Sequence, residues 1–98
     1  MFSAGTILQQ LGGNKFIAMT GAKNFVKDDK KKLITFKIGS NIKNVNYVRI
    51  KLNQMDTYDM EFLNIRAGKI KVKSRAKNVY DDQLQQVFTH HTGLDTHL

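Results

Sequence analysis

Between Lys69 and Lys77 the stretch KIKVKSRAK carries a cation at every second position: Lys69, Lys71, Lys73 and Arg75, with Lys77 continuing the series. On an extended strand that spacing puts the charged groups on one side, where they could neutralise successive phosphates of a nucleic acid. Two other groups of residues have types that could do chemistry. Asp56, Asp59 and Glu61 form the acidic cluster outside the C-terminal segment, and paired carboxylates can hold Mg²⁺ in a nuclease. No lysine follows them at a recognisable nuclease spacing, so they read as charge balance beside a basic strand. His90, His91 and His97 are the remaining candidate metal ligands. Neighbours on a helix point about 100° apart and do not readily share an ion. His91 is therefore expected to pack at a helix end, with His90 exposed. GGNK lacks the phosphate-loop pattern, and no Ser, His and Asp arrangement stands out. No cofactor is expected, and enzyme is the least favoured class.

The 98 residues carry 16 Lys and Arg against 8 Asp and Glu, a formal net charge of +8. Every Lys and Arg lies between Lys15 and Lys77, whereas the segment after Lys77 carries Asp81, Asp82 and Asp95. A cationic middle and a mildly acidic end favour a polyanionic partner, nucleic acid first and an acidic protein surface second. The chain has no cysteine, which excludes disulfides, thiolate metal sites and a cysteine nucleophile. MFSAGTILQQLGG lacks the basic start and long apolar run of a secretory leader. No stretch approaches the roughly 20 apolar residues of a membrane-spanning helix. A single domain over residues 1–98, in the cytoplasm and without membrane contact, is the expectation.

The elements that must position these groups are punctuated by glycine, since there is no proline. SAGTILQQLGG predicts a helix over about residues 4–11, with Ser3 as N-cap, Ile7, Leu8 and Leu11 on one face and Gly12-Gly13 as the stop. NKFIAMTGAKNFV mixes apolar and β-favouring residues and predicts one strand or two short ones, with Gly21 at a turn or bulge. KDDKKK reads as a hairpin loop whose lysines form a solvated tip. LITFKIG and NYVRIKL alternate: Ile34, Phe36, Ile38, Val48, Ile50 and Leu52 face inward, and Thr35, Lys37, Tyr47, Arg49 and Lys51 outward. In YDMEFLNIR, Tyr58, Met60 and Phe62 share a face while Leu63 and Ile65 take the other, which predicts a bulge near residues 62–64. Gly68 turns the chain into KIKVKSR, where Ile70 and Val72 are expected to point inward. In the last segment Leu84, Val87, Phe88 and His91 fall at helical spacing, with Asp81 or Asp82 as cap and Gly93 as stop.

These elements make an α+β fold: a short N-terminal helix, a meander of four or five antiparallel strands, and a C-terminal helix packed on one face. The opposite face would then display Lys37, Arg49, Lys51, Lys69, Lys71, Lys73 and Arg75 with Tyr47 among them. Its cations could bind phosphates, and the tyrosine ring could stack on an unpaired base. Such a face suits a single strand or a shape-read duplex, DNA or RNA, better than base-specific groove reading.

The stretches LGGNKFIAMTGAKNFV, DTYDMEF and YDDQLQQVFTHHTGLDTHL resemble a family of short, functionally uncharacterised proteins of phages and bacterial mobile elements. Its pattern runs TILQQLGGNKF, MTGAKNF, YxDQLQxxF and TGL. The resemblance spans Thr6 to Val26 and Tyr80 to Leu94, with Asp82 and Gln83 in the DQLQ position. It implies a bacterial cytoplasm and an accessory role. It also opens an alternative function: inhibition or modulation of a host nucleic-acid-handling or defence complex, in the manner of an anti-CRISPR protein. Phe25 and Tyr80 would be candidate anchors for that role, although both are expected in the core.

Overall fold

The computed structural model describes residues 3–96. In chain order it contains helices α1 (Ala4–Leu11) and α2 (Gly13–Thr20), then strands β1 (Lys23–Asp28), β2 (Leu33–Lys37), β3 (Tyr47–Leu52), β4 (Tyr58–Arg66) and β5 (Lys69–Val79). A 3₁₀ turn (Asp81–Gln83) then leads into helix α3 (Leu84–Thr92). The strands form one antiparallel sheet in sequence order, so every connection is a hairpin or short loop.

Helix α1 starts as its residues dictate, with the Ser3 hydroxyl accepting a hydrogen bond from the Thr6 N–H at 3.2 Å. Gly12, at φ 129°, closes it. The chain does not become a strand there. GNKFIAMT forms α2, correcting the strand expectation for this stretch. Phe16 and Thr20 stand one helical turn apart and are both buried. The Thr20 hydroxyl donates to the Phe16 carbonyl at 2.7 Å, and Gly21 ends the helix in the left-handed region at φ 68°. Burial of the Phe16 ring outweighs the modest β preference of Phe, Ile and Thr, which spans only about 1 kcal/mol.

The three helices cover one face of the sheet, here called the inner face. Ile7 and Leu11 of α1, Phe16 of α2 and Leu84 and Phe88 of α3 join Ile34, Phe36, Val48, Ile50, Met60 and Phe62 in one buried cluster. Its centre is aromatic. The Phe88 ring lies 5.1 Å from Phe16 and 6.4 Å from Phe62, and Phe16 meets Phe36 edge-on at 5.7 Å. Phe25 packs against this cluster. Tyr80 instead is 61% exposed, because it precedes the turn into α3 and its backbone N–H is taken by the Gln83 side chain at 3.2 Å. Tyr80 is thus the N-cap residue of the 3₁₀ turn, and Asp81 and Asp82 occupy its first turn rather than the cap.

Three irregularities shape the edge strands. In β1 the register shifts between Lys23 and Val26, where Asn24 has φ 56°. In β5 one extra residue lies opposite the Tyr58 to Met60 step, where Asn78 has φ 57°, and a second extra residue, Lys73, lies opposite the Phe62 to Leu63 step. The bulge expected near residues 62–64 is there, but the added residue belongs to the partner strand. Its effect is a change of side, because adding one residue to an alternating strand moves everything beyond it to the other face. Ile70 pairs with Ile65 and Val72 with Leu63. Ile70 and Val72 therefore lie on the uncovered face, 66% and 41% exposed, which corrects the inward placement read from alternation. No helix among the described residues is long and apolar enough to cross a membrane.

Candidate nucleic-acid interface

The face of the sheet away from the helices is uncovered, and the register fixes which side chains share it, because residues opposite one another on neighbouring strands point the same way. On β3, Tyr47, Arg49 and Lys51 alternate with buried Val48, Ile50 and Leu52. Lys37 pairs with Tyr47, and Arg49 pairs with Glu61, which pairs with Arg75. Lys37, Tyr47, Arg49, Lys51 and Arg75 are thus brought together on the open face. Lys69 and Lys71 are not. They pair with Arg66 and Asn64 on the helix side of the sheet, beyond the bulge at Lys73. Lys73 itself lines a small cleft with Lys43, Ser74, His90 and His91.

Two of the open-face cations are held in place. Glu61 accepts a hydrogen bond from Arg49 Nη1 at 3.1 Å on one carboxylate oxygen and from Arg75 Nε at 3.0 Å on the other. The pairs are partly exposed, so their contribution to stability is small, about 0–1 kcal/mol each. Their effect is positional, since both guanidinium groups are fixed over the middle of the sheet. Asp59 is occupied differently. One of its carboxylate oxygens accepts from Asn53 Nδ2 at 3.1 Å and from the backbone N–H of Asn78 at 3.2 Å. The same Asn53 Nδ2 lies 2.8 Å from the Thr57 hydroxyl. This knot pins the positive-φ bulge at Asn78 and uses Asp59 for structure. Asp59 faces Lys51 in the register, yet Lys51 makes no ion pair among the described residues.

Two clefts, of about 630 and 580 Å³, run into each other across this face and share Lys31, Lys51, Asp59 and Lys77. Together their walls carry seven cations, Lys30, Lys31, Lys32, Arg49, Lys51, Arg75 and Lys77, against three carboxylates, Asp28, Asp59 and Glu61. Sequence alternation did not select the turn lysines for this surface. They arrive because Leu33 pairs with Lys51, and because the Lys32 carbonyl accepts from the Leu52 N–H at 2.9 Å, docking the β1–β2 turn beside the end of β3. Asp28 shapes that turn by accepting the Lys31 N–H at 3.0 Å. The linear signal available for these lysines was the turn-forming Asp28 one strand length before Leu33. Their meeting with Lys51 depends on register.

At the other end the same face is apolar. Leu63 is 2% exposed although it lies outside the main core, and its register neighbours are Tyr47 and Val72. The β4–β5 hairpin turns at Ala67 and Gly68, both at positive φ (49° and 77°), as a two-residue loop of the kind that matches strand twist. His91 sits as expected at the end of α3, half-buried, while His90 is exposed. His97 lies outside the described residues, and among those described no group of His, Asp or Glu is arranged to hold a metal ion.

The class these features define is an α+β protein with a three-helix layer on one face of a five-stranded meander and a cation-lined trough on the other. Comparison with protein-family models, curated proteins and solved structures finds no match.

Proposed function

We propose that the protein binds nucleic acid through the open face of its sheet. Phosphates lie in the trough between Lys30–Lys32, Lys51 and Lys77, and Arg49 and Arg75 are presented by Glu61. The observation that carries this reading is the excess of seven cations over three carboxylates along one continuous trough, with Tyr47 on the same face to meet a base. The five lysines of the trough make no ion pair among the described residues, so binding releases counterions from the nucleic acid without first breaking salt bridges. The resemblance to short phage and mobile-element proteins supports a bacterial cytoplasm as the setting.

Fluorescence anisotropy with labelled single-stranded and double-stranded DNA and RNA tests this proposal. For a single strand, log K is expected to fall against log salt with a slope of about −3.5, since each of the five trough lysines neutralises a phosphate and releases about 0.7 counterion. Affinity that is unchanged between low and physiological salt would rule the trough out. A second expectation concerns Glu61. Glu61→Gln removes the one negative charge between two arginines, so binding is expected to tighten roughly fivefold, as about 1 kcal/mol of surface repulsion is lost. Weaker binding by that variant would mean that the arginines must be held in place to work.

A second reading, a protein-binding inhibitor of a host nucleic-acid-handling complex, is favoured by Ile70 and Val72, exposed on the same face. Capture from nuclease-treated host lysate separates the two. A protein partner that survives treatment supports the inhibitor, and loss of all partners supports direct binding.

A further inference from the structure

On the opposite side of the sheet from the trough, Lys43, Lys73, Ser74, His90 and His91 line a cleft of about 230 Å³. Three separate segments converge there: the β2–β3 loop, the bulge in β5 and the last turn of α3. None of the lining residues is acidic, in contrast to the trough, where three carboxylates intervene. Neither Lys43 nor Lys73 makes an ion pair among the described residues.

One wall is rigid. The His91 ring is stacked on Phe62 with centroids 4.7 Å apart and planes 8° from parallel, and its Nδ1 lies 2.8 Å from the Ser74 hydroxyl oxygen. This pair offers a donor in either tautomer. If the serine O–H donates to Nδ1, the ring proton sits on Nε2. If Nδ1–H donates to the serine oxygen, the serine O–H is free. Burial first, then the neighbouring His90 and Lys43, hold the His91 imidazole below its usual pKa, so near neutral pH His91 acts as a neutral group beside the cationic Lys43 and Lys73. The cleft has room for a tetrahedral oxyanion and a few waters, each water occupying about 30 Å³.

We infer that this cleft is a binding site for a phosphate group, held between Lys43 and Lys73 with the His91–Ser74 pair as neutral donor. The site is separate from the open face and does not depend on what that face binds. It explains a role for the extra residue in β5, since the bulge turns Lys73 toward the histidines and away from the arginine row.

The test is an NMR titration of the folded protein with inorganic phosphate at constant ionic strength, following the imidazole resonances of His90 and His91, with chloride as the control anion. The expected result is a saturable shift with phosphate that chloride does not produce. The apparent pKa of His91 should also rise, because an anion that binds the protonated ring more tightly must raise its proton affinity in return. In Lys43→Ala/Lys73→Ala the phosphate affinity is expected to fall about tenfold or more, while Lys51→Ala/Lys77→Ala in the trough leaves it unchanged. Equal responses to phosphate and chloride, or an unaltered affinity in the Lys43/Lys73 variant, would overturn the assignment. The source of the phosphate is read with oligonucleotides carrying a 5′-phosphate or a 5′-hydroxyl. A preference for the phosphorylated end that is lost in the Lys43/Lys73 variant identifies a nucleic-acid terminus, and no preference alongside phosphate binding identifies a small phosphate monoester.

Discussion

Charge reversal at Lys31, Lys51 and Lys77 is expected to abolish nucleic-acid binding by a still-folded protein, while the same change at Lys69, Lys71 and Lys73 leaves most of it. Both triple variants alter the net charge equally, so a difference between them cannot come from general electrostatic attraction. Lys31, Lys51 and Lys77 line both clefts of the trough, and under the proposed mode of binding each reversal would set a repelling carboxylate where a phosphate is to lie. At about 1 kcal/mol per position the loss is roughly a hundredfold or more. Lys69 and Lys71 lie across the sheet on the helix side. The comparison is made by anisotropy with 5′-hydroxyl oligonucleotides, which leave the Lys73 cleft out of the measurement, and circular dichroism checks that both variants are folded. Equal losses in the two variants would show that the sheet binds by overall charge alone. A loss confined to the Lys69/Lys71/Lys73 variant would move the interface to the helix side.

Phe88→Ala is expected to cost about 3–5 kcal/mol of folding stability, read as a lowered midpoint in urea with an unchanged slope. Phe88 is fully buried and touches rings from α2 and β4, so its removal opens a cavity where three elements meet. Domains of this size have about 5–15 kcal/mol in total, and the variant would retain only a fraction of that. Tyr80→Ala, three-fifths exposed at the start of the same segment, is the matched control, with an expected effect within about 0.5 kcal/mol. A Phe88→Ala cost below about 1.5 kcal/mol would mean that α3 is not anchored by this ring.

The parts of the fold legible in the sequence were those governed by a single local period. β2 and β3 alternate cleanly because one of their faces is buried and the other is not. α1 announces itself through Ser3 and Gly12, and α3 through Leu84, Phe88 and Gly93. α2 was hidden because GNKFIAMT contains residues that suit a strand, and the decisive term, the seat for Phe16 between Phe36 and Phe88, is made by distant segments. The candidate site was half legible for a related reason. Lys37, Tyr47, Arg49, Lys51 and Arg75 were assigned together from alternation, and the register groups them. Lys69 and Lys71 were assigned with them on the assumption that alternation runs unbroken through β5. A single added residue, Lys73, broke it, and no local preference marks that residue as the extra one. Lys77 follows Arg75 by alternation, whereas Lys30–Lys32 entered the trough through pairing between strands, which no window of sequence contains.

The contact between the two ends of the chain has a consequence for the order of assembly. Each strand pairs with its sequence neighbour, so the hairpins can close as soon as they are made, at small entropic cost. The helical layer is completed later. α1 meets α3 and the turn before it, and Gln10 reaches Asp81 across 71 positions. During synthesis the N-terminal helices are made first, and the layer they begin is completed only when Leu84 and Phe88 arrive. A nascent chain paused before α3 would leave the sides of Phe16 and Phe62 that meet Phe88 uncovered. Such a pause would present apolar surface that the finished protein covers.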